Sequence, residues 1–303
     1  MSLSSKIRVA VLRGGPSNLY DTSLKTGEFV LSALREMTDT YEPLDIFISK
    51  GGEWHKSGLV YKPHRALEHA DVVWNTLHGS YGEDGQVQKL LEGMKIPFTG
   101  PRTMASTLAM NKDMSKRLYK ERSMLTPAYE LVTMEGVNDD KLIAIFRSFL
   151  QPVVVKPANQ SGSIGMSISY TFDGLKESVE KAFAYSPRVL VEEFIKGDEI
   201  SCGVIEGVKG ENIYALTPYS SEPESEFGEV KNMIADRAKE AHEVLGLSHY
   251  SSSDFIITPK KKIYILETNS LPPLHEGSLM HRSLGADGWR HNDFVDHVLR
   301  LAL

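Results

Sequence analysis

The run "IRVAVLRGG" (residues 7–15) constrains the fold more than any other stretch. A short apolar run closed by two glycines reads as a buried strand entering a tight turn. "TSLKTGEFVLSALREM" (22–37) follows, with apolar residues at helical spacing near 24, 30, 31 and 34. "YEPLDIFISK" (41–50) reads as a second strand, and "ADVVWNTLHGSYGEDG" (70–85) as a third strand running into a glycine-rich loop. "QVQKLLEGM" is then a helix and "IPFTG" a short strand-like end. Strand, helix and strand in alternation predict an α/β fold with an open, largely parallel sheet. Ligands collect at the carboxyl ends of such strands. Both "LRGGPSN" and "LHGSYGEDG" fall at those ends.

The pattern changes near Gly100-Pro101. "TMASTLAMNKDMSKRLYKERSM" (103–124) reads as helical, "TPAYELVT" as extended, and "QPVVVKPANQSGSIGMSISY" (151–170) as strand, loop and strand. A helix is expected over 173–185, then the extended "RVLVEEFIKGDEISCGVIEG" (188–207), and a last helix at "NDFVDHVLRLAL". "SSEPESEFGE" (220–229) is the most loop-like and acidic stretch. A chain of 303 residues exceeds the size at which one core keeps growing. Three units are expected: an N-terminal open α/β domain (1–100), a small central lobe (101–190) and a C-terminal lobe (191–303).

Composition narrows the class. A net charge of −6 gives no bulk electrostatic attraction for nucleic acid. No stretch approaches the roughly 18 apolar residues of a membrane helix. The apolar run after Lys6 is too short for a secretory signal, and Met1–Leu3 reads as an appended leader. Cys202, the single cysteine, forms no internal disulfide, which fits a reducing compartment. The expectation is a cytoplasmic enzyme without nucleic-acid or membrane partners.

"SSSDFIITPKKKIYILETNS" (251–270) reads as a β-hairpin. A turn at 259–262 sets Thr258 opposite Ile263, Asp254 opposite Glu267 and Ser252 opposite Asn269. Alternation then puts Ser252, Asp254, Ile256, Thr258, Ile263, Ile265, Glu267 and Asn269 on one face. Opposed residues have Cβ atoms about 4.5–5.5 Å apart, so the two carboxylates repel unless a cation joins them. Mg²⁺ takes hard oxygen ligands, commonly one or two carboxylates with phosphates and water. Asp254, Glu267 and Asn269 supply such oxygens. Taken alone, a solvated hairpin end explains the acids equally well.

Other stretches carry chemistry-bearing residues. In "VVVKPANQSGSIGM" a strand delivers Lys156 and a loop of small residues follows, including Ser161, Gly162, Ser163 and Gly165. Small residues let backbone N–H groups approach phosphate, and the lysine adds a point charge. A plain hairpin turn is the competing reading. "VLVEEFIKGDEIS" offers Glu192 and Glu199 as acceptors for an adenine amine or ribose hydroxyls, and "LAMNKDMSK" offers Lys112 and Lys116 on a helix. Each is more often a solvated surface charge when met alone. His78 stands at a glycine-rich strand end, a better place for contacting an anion than most.

The order of these pieces resembles the ATP-grasp fold: strand, lysine and small-residue loop, then the paired glutamates, then Asp…Glu-x-Asn on a hairpin. Six blocks, "VAVLRGGPSN…SL", "LHGSYGEDGQVQKLLEGMKIPFTG", "LAMNKDMSKRL", "VVVKPANQSGSIGMS", "VLVEEFIKGDEIS" and "IYILETNSLPPL…SL", resemble the D-alanine–D-alanine ligase family from about residue 7 to 303. The resemblance implies an open parallel sheet followed by a two-lobed ATP-grasp fold, and a role in peptidoglycan biosynthesis. It also implies an ATP-dependent ligase that phosphorylates one amino acid's carboxylate and lets a second amino acid's amine displace the phosphate. It assigns ATP contacts to Lys112, Lys156, Ser161, Gly162, Ser163, Glu192, Glu193 and Glu199. It assigns two Mg²⁺ ions, with Mn²⁺ as a substitute, to Asp254, Glu267 and Asn269. The substrate side falls to Leu19, His78, Ser278 and Leu279, the catalytic positions are His78 and Ser252, and the assembly is a homodimer.

This chain departs from the family pattern on the substrate side. Leu19 stands where the family places a glutamate for the first substrate's ammonium, and Gly162 where it places a serine. Ser252 replaces the arginine that stabilises the tetrahedral oxyanion. Pro273, which has no N–H, replaces the glycine that assists it. His275, Lys231 and Arg282 are candidate replacement donors. Two alternatives therefore stand beside the D-alanine reading: a ligase for a different amino-acid pair, and a nucleotide-binding homologue without ligation and with a regulatory role.

Overall fold

The computed structural model describes residues 6–220 and 228–303. Met1–Leu3 and most of the acidic 220–229 stretch lie outside the described residues. Strand β1 (Ile7–Gly14) is followed by α1 (Tyr20–Glu36), β2 (Tyr41–Ile48), β3 (Trp54–Lys56), β4 (Leu59–Tyr61), α2 (Pro63–Ala66), β5 (Val72–Asn75) and α3 (Gln86–Met94). The first sheet has the order β4-β3-β2-β1-β5. β1 pairs in parallel with both β2 and β5, while β3 and β4 extend the sheet as an antiparallel edge. Phe98 adds a single parallel bridge to Val73. The parallel centre follows from the apolar strands and their helical crossover; the short edge hairpin carried no comparable period in the sequence.

Helices α4 (Thr103–Met110) and α5 (Lys112–Glu121) divide the expected single helix at Asn111. Asn111 leaves helical geometry and its side chain caps α5 by accepting from Met114 N, the usual role of asparagine at a helix start. Strands β6 (Tyr129–Thr133), β7 (Val153–Pro157), β8 (Ser167–Ser169) and β9 (Arg188–Glu193) form a second sheet, backed by α6 (Asp139–Ser148) and α7 (Phe172–Phe183). Its order is β6-β9-β7-β8 and every pairing is antiparallel. The division expected at residue 190 falls inside β9, so it would cut a strand whose pairing extends to Glu193.

The third sheet holds β10 (Asp198–Val208), β11 (Glu211–Ala215), β12 (Tyr219–Ser220), β13 (Tyr250–Ile257) and β14 (Ile263–Asn269). Helices α8 (Lys231–Val244), α9 (Leu279–Ala286) and α10 (His291–Ala302) complete the chain. One apolar core joins the first and third sheets, with Val9, Val11 and Trp74 packed in the same cluster as Ile205, Tyr250 and Phe294. The carboxyl ends of β1 and β5 are thereby held beside the third sheet. Among the described residues no helix is long and apolar enough to cross a membrane.

Candidate active site

The hairpin forms, with a different register from the one expected. Its loop is one residue longer: Thr258 N donates to Lys262 O at 3.0 Å, and the last pair is Ile257 with Ile263. Phe255 then faces Ile265, and a bulge restores the pairing of Asp254 with Glu267 and of Ser252 with Asn269. Leu266 is the extra residue. The bulge corrects the expected face as well, because Ile263 and Ile265 pack with Phe255 and Ile257 in a core cluster instead of joining the acids. Bulges of this kind re-aim side chains next to functional sites.

Two cavities meet at these acids. The first, of about 230 Å³, is lined by Lys112, Lys156, Ser163, Glu199 and both carboxylates. The second, of about 430 Å³, is lined by Leu19, His78, Ser252 and Ser278 as well as Asp254 and Glu267. The loop after β7 separates them. It turns through left-handed conformations at Gly162, Ser163 and Gly165. At Gly165 a Cβ would come within 2.8 Å of Pro157, so only glycine fits there. Lys112 opens α5, and its backbone N–H donates to Ala158 O at 2.9 Å, which ties that helix to the base of the loop.

The charges at the junction are unequal. Burial, followed by the Glu267 charge, pushes the Asp254 carboxyl up to about 7. Burial also opposes ionisation of Glu267, but Lys112 and Lys156 outweigh it and hold that carboxyl below its usual range. Lys112 Nζ is paired directly with Glu267 Oε2. Asn269 Nδ2 donates to Asp254 Oδ2 at 3.0 Å. Among the described residues no three His, Cys, Asp or Glu side chains gather as a metal cluster. Two carboxylates and an amide oxygen suit a hard divalent ion that also takes phosphate oxygens, and a carboxyl held near 7 by burial and by its neighbour is one that a cation would ionise.

Glu192 has other partners than the expected nucleotide. It is 1% exposed, with Oε1 3.1 Å from Lys116 Nζ and Oε2 2.7 Å from Lys156 Nζ. Burial pushes the Lys116 ammonium down to about 8, and the neighbouring Lys156 adds to this while Glu192 opposes it. Lys116 also donates to Thr126 Oγ1 at 2.7 Å. Glu193 accepts from Ala128 N at 2.8 Å and does not line the cleft, whereas Glu199 does. Ser161 and Gly162 line the second cavity, with Ser163 shared between the two.

On the substrate side, His78 is buried and its Nε2 lies 2.9 Å from Thr26 Oγ1, while Nδ1 has no partner. Ser278 caps α9: its hydroxyl accepts from His281 N at 3.2 Å and donates to Pro273 O at 2.8 Å. Leu279 lines both cavities. The Ser252 hydroxyl lies 2.7 Å from that of Ser201. Ser201 faces Asp254 across β10 and β13, a long-range pairing with no local signal in the sequence. No arginine or lysine lines the larger cavity, although His275 does. Arg282 stacks over the Tyr219 ring at 5.5 Å, and Lys231 opens α8 without lining it.

A lysine-lined cleft with carboxylates on a hairpin floor, set between two antiparallel sheets, defines an ATP-grasp protein. Profiles of the D-ala D-ala ligase C-terminus match residues 118–229 and 223–300, and that of the N-terminus matches 59–101. The D-alanine–D-alanine ligase of Geobacter sulfurreducens is 33% identical over 308 residues, covering 96% of this chain and 93% of that protein. The corresponding ligase of Aquifex aeolicus is 33% identical over 306 residues, covering 97% of this chain and all of its own length. The solved D-alanine–D-alanine ligase of Coxiella burnetii superposes with a TM-score of 0.87 at 23% identity, over 98% of this chain and 95% of that one. The chain belongs to the D-alanine–D-alanine ligase family, whose members are ATP-dependent C–N ligases that use a divalent metal.

Proposed function

We propose that the chain joins two amino acids, with D-alanine as the reference substrate for both positions, at the junction of the two cavities. The observation that carries this reading is that Asp254, Glu267 and Ser163 line both spaces, so a phosphate in the smaller cavity would meet a carboxylate in the larger one. Lys112, Lys156 and the 161–165 backbone hold the phosphates, and Glu199 receives ribose hydroxyls. Glu192 orients Lys156 from behind. Asp254, Glu267 and Asn269 would hold Mg²⁺ (two ions, replaceable by Mn²⁺), which would supply charge neutralisation for phosphoryl transfer. The first amino acid's carboxylate becomes an acyl phosphate, and the second amino acid's amine displaces phosphate to close the peptide bond.

The three sheets suggest three units, with the second division in the 194–197 connection between β9 and β10. Family membership extends the reading to a cytoplasmic homodimer that feeds peptidoglycan synthesis. The test is ADP release with mass-spectrometric detection of the dipeptide across a panel of D- and L-amino acids. ADP release and D-alanyl–D-alanine with D-alanine support the reading. Release only with another pair would overturn the D-alanine assignment, and no release with any acid would overturn ligation itself.

A further inference from the structure

An amino acid entering the larger cavity brings an ammonium with it, and a buried ammonium needs an anion. Leu19 supplies none. Among the described residues three carboxylates line the cavity: Glu83, Asp254 and Glu267. Glu267 is paired with Lys112, and Asp254 accepts from Asn269, so both are engaged at the phosphate end. Glu83 remains. It is 4% exposed, and its Oε2 accepts from Gly79 N at 2.5 Å. Its own N–H donates to Gly79 O at 2.9 Å, which closes the 79–83 turn and fixes the side chain's origin. Among the described residues no donor reaches its Oε1.

Leu19 and Glu83 flank the same residue. The Leu19 side chain lies 3.5 Å from where a Cβ on Gly79 would stand, and 3.3 Å from the equivalent point on Gly162. A carboxylate therefore still reaches the end of the cavity that Leu19 occupies, delivered from the 79–83 turn instead of from α1. His78, whose buried Nδ1 has no partner among the described residues, also lines this cavity, and with the ring proton on Nε2 toward Thr26 that nitrogen is an acceptor.

We propose that Glu83 anchors the ammonium of the amino acid whose carboxylate is activated. This assignment rests on the ligase reading above. D-alanine and propionate, which share a carbon skeleton and differ by the ammonium, separate the two claims. Hydroxylamine takes the place of the second amino acid: its nitrogen attacks the acyl carbon, phosphate leaves, and a hydroxamate forms as ADP is counted. Glu83→Gln should lower kcat/KM for D-alanine by about 10- to 100-fold, the range for losing one charged hydrogen bond. The loss on propionate should be at least about tenfold smaller, and Leu19→Glu added to Glu83→Gln should recover D-alanine. Equal losses on the two acids, or no loss on D-alanine, would overturn the assignment, and the single variant decides the matter if the double one does not fold. Wild-type protein that binds ATP yet forms no hydroxamate from any acid would overturn the ligase reading, and this assignment with it.

Discussion

Asp254 and Glu267 are partners across β13 and β14 only because Leu266 bulges out between them and the hairpin loop. Continued without a bulge, the pairing of Ile257 with Ile263 would set Asp254 against Leu266 and Glu267 against Ser253. The bulge therefore brings two carboxylates together where each raises the other's cost of ionisation. Such a juxtaposition is stable at neutral pH only with a proton or a cation.

Glu267→Gln should reduce metal-dependent ADP release by at least about 100-fold, since even outer partners of a metal ligand cost up to that much. Steady-state turnover against Mg²⁺ concentration checks this. Turnover at the wild-type rate would remove the carboxylate from the site.

Asp254 predicts a proton-linked metal response. Its ordinary value is 3.8 and burial with the Glu267 charge raises it to about 7. The folded protein thus keeps a proton that the unfolded chain releases. The resulting stabilisation is full below pH 3.8 and is lost as the pH rises through about 7. A bound cation favours the carboxylate and reverses this trend. The Mg²⁺-induced rise in Tm should accordingly be larger at pH 8 than at pH 6, and Asp254→Asn should flatten the difference. Equal shifts at both pH values in the wild type would contradict the linkage.

Glu192→Gln leaves the buried Lys116 and Lys156 ammonium groups facing each other without their anion. A loss of about 3–5 kcal/mol is expected in chemical denaturation, the range for stripping one partner from a buried pair. KM for ATP should rise in the folded fraction as Lys156 loses its support. A change below about 1 kcal/mol would show that the lysines are solvated or already neutral.

Ser252→Arg with Pro273→Gly restores a guanidinium and a backbone N–H to a cavity that no arginine or lysine lines. Each oxyanion donor is worth about 10²–10³ in rate. Dipeptide formation by the folded double variant should therefore rise by at least about 100-fold. No gain, with circular dichroism showing an intact fold, would mean that a group such as His275 already supplies the donor.

The sequence by itself determined the central strands, most of the helices beside them and the chemistry of the loops at their ends. The glycines after β1, the lysine on β7, the small-residue loop and the acids on the hairpin are local signals, and local periodicity and turn composition carry them. The tertiary structure decided what each charge meets. Glu192 looks like a surface acid in "VLVEEFIKGDEIS", and only the pairing of β9 with β7 and the docking of α5 place it between two lysines. Ser201 became a neighbour of Ser252 through the β10–β13 ladder, about fifty residues apart in the chain. Leu266 shows the limit most directly, because a hairpin's register depends on loop length and bulges, which a period-two pattern does not encode. Long-range pairing sets the electrostatic environment of a side chain, and that environment turned a set of acids and lysines into a site.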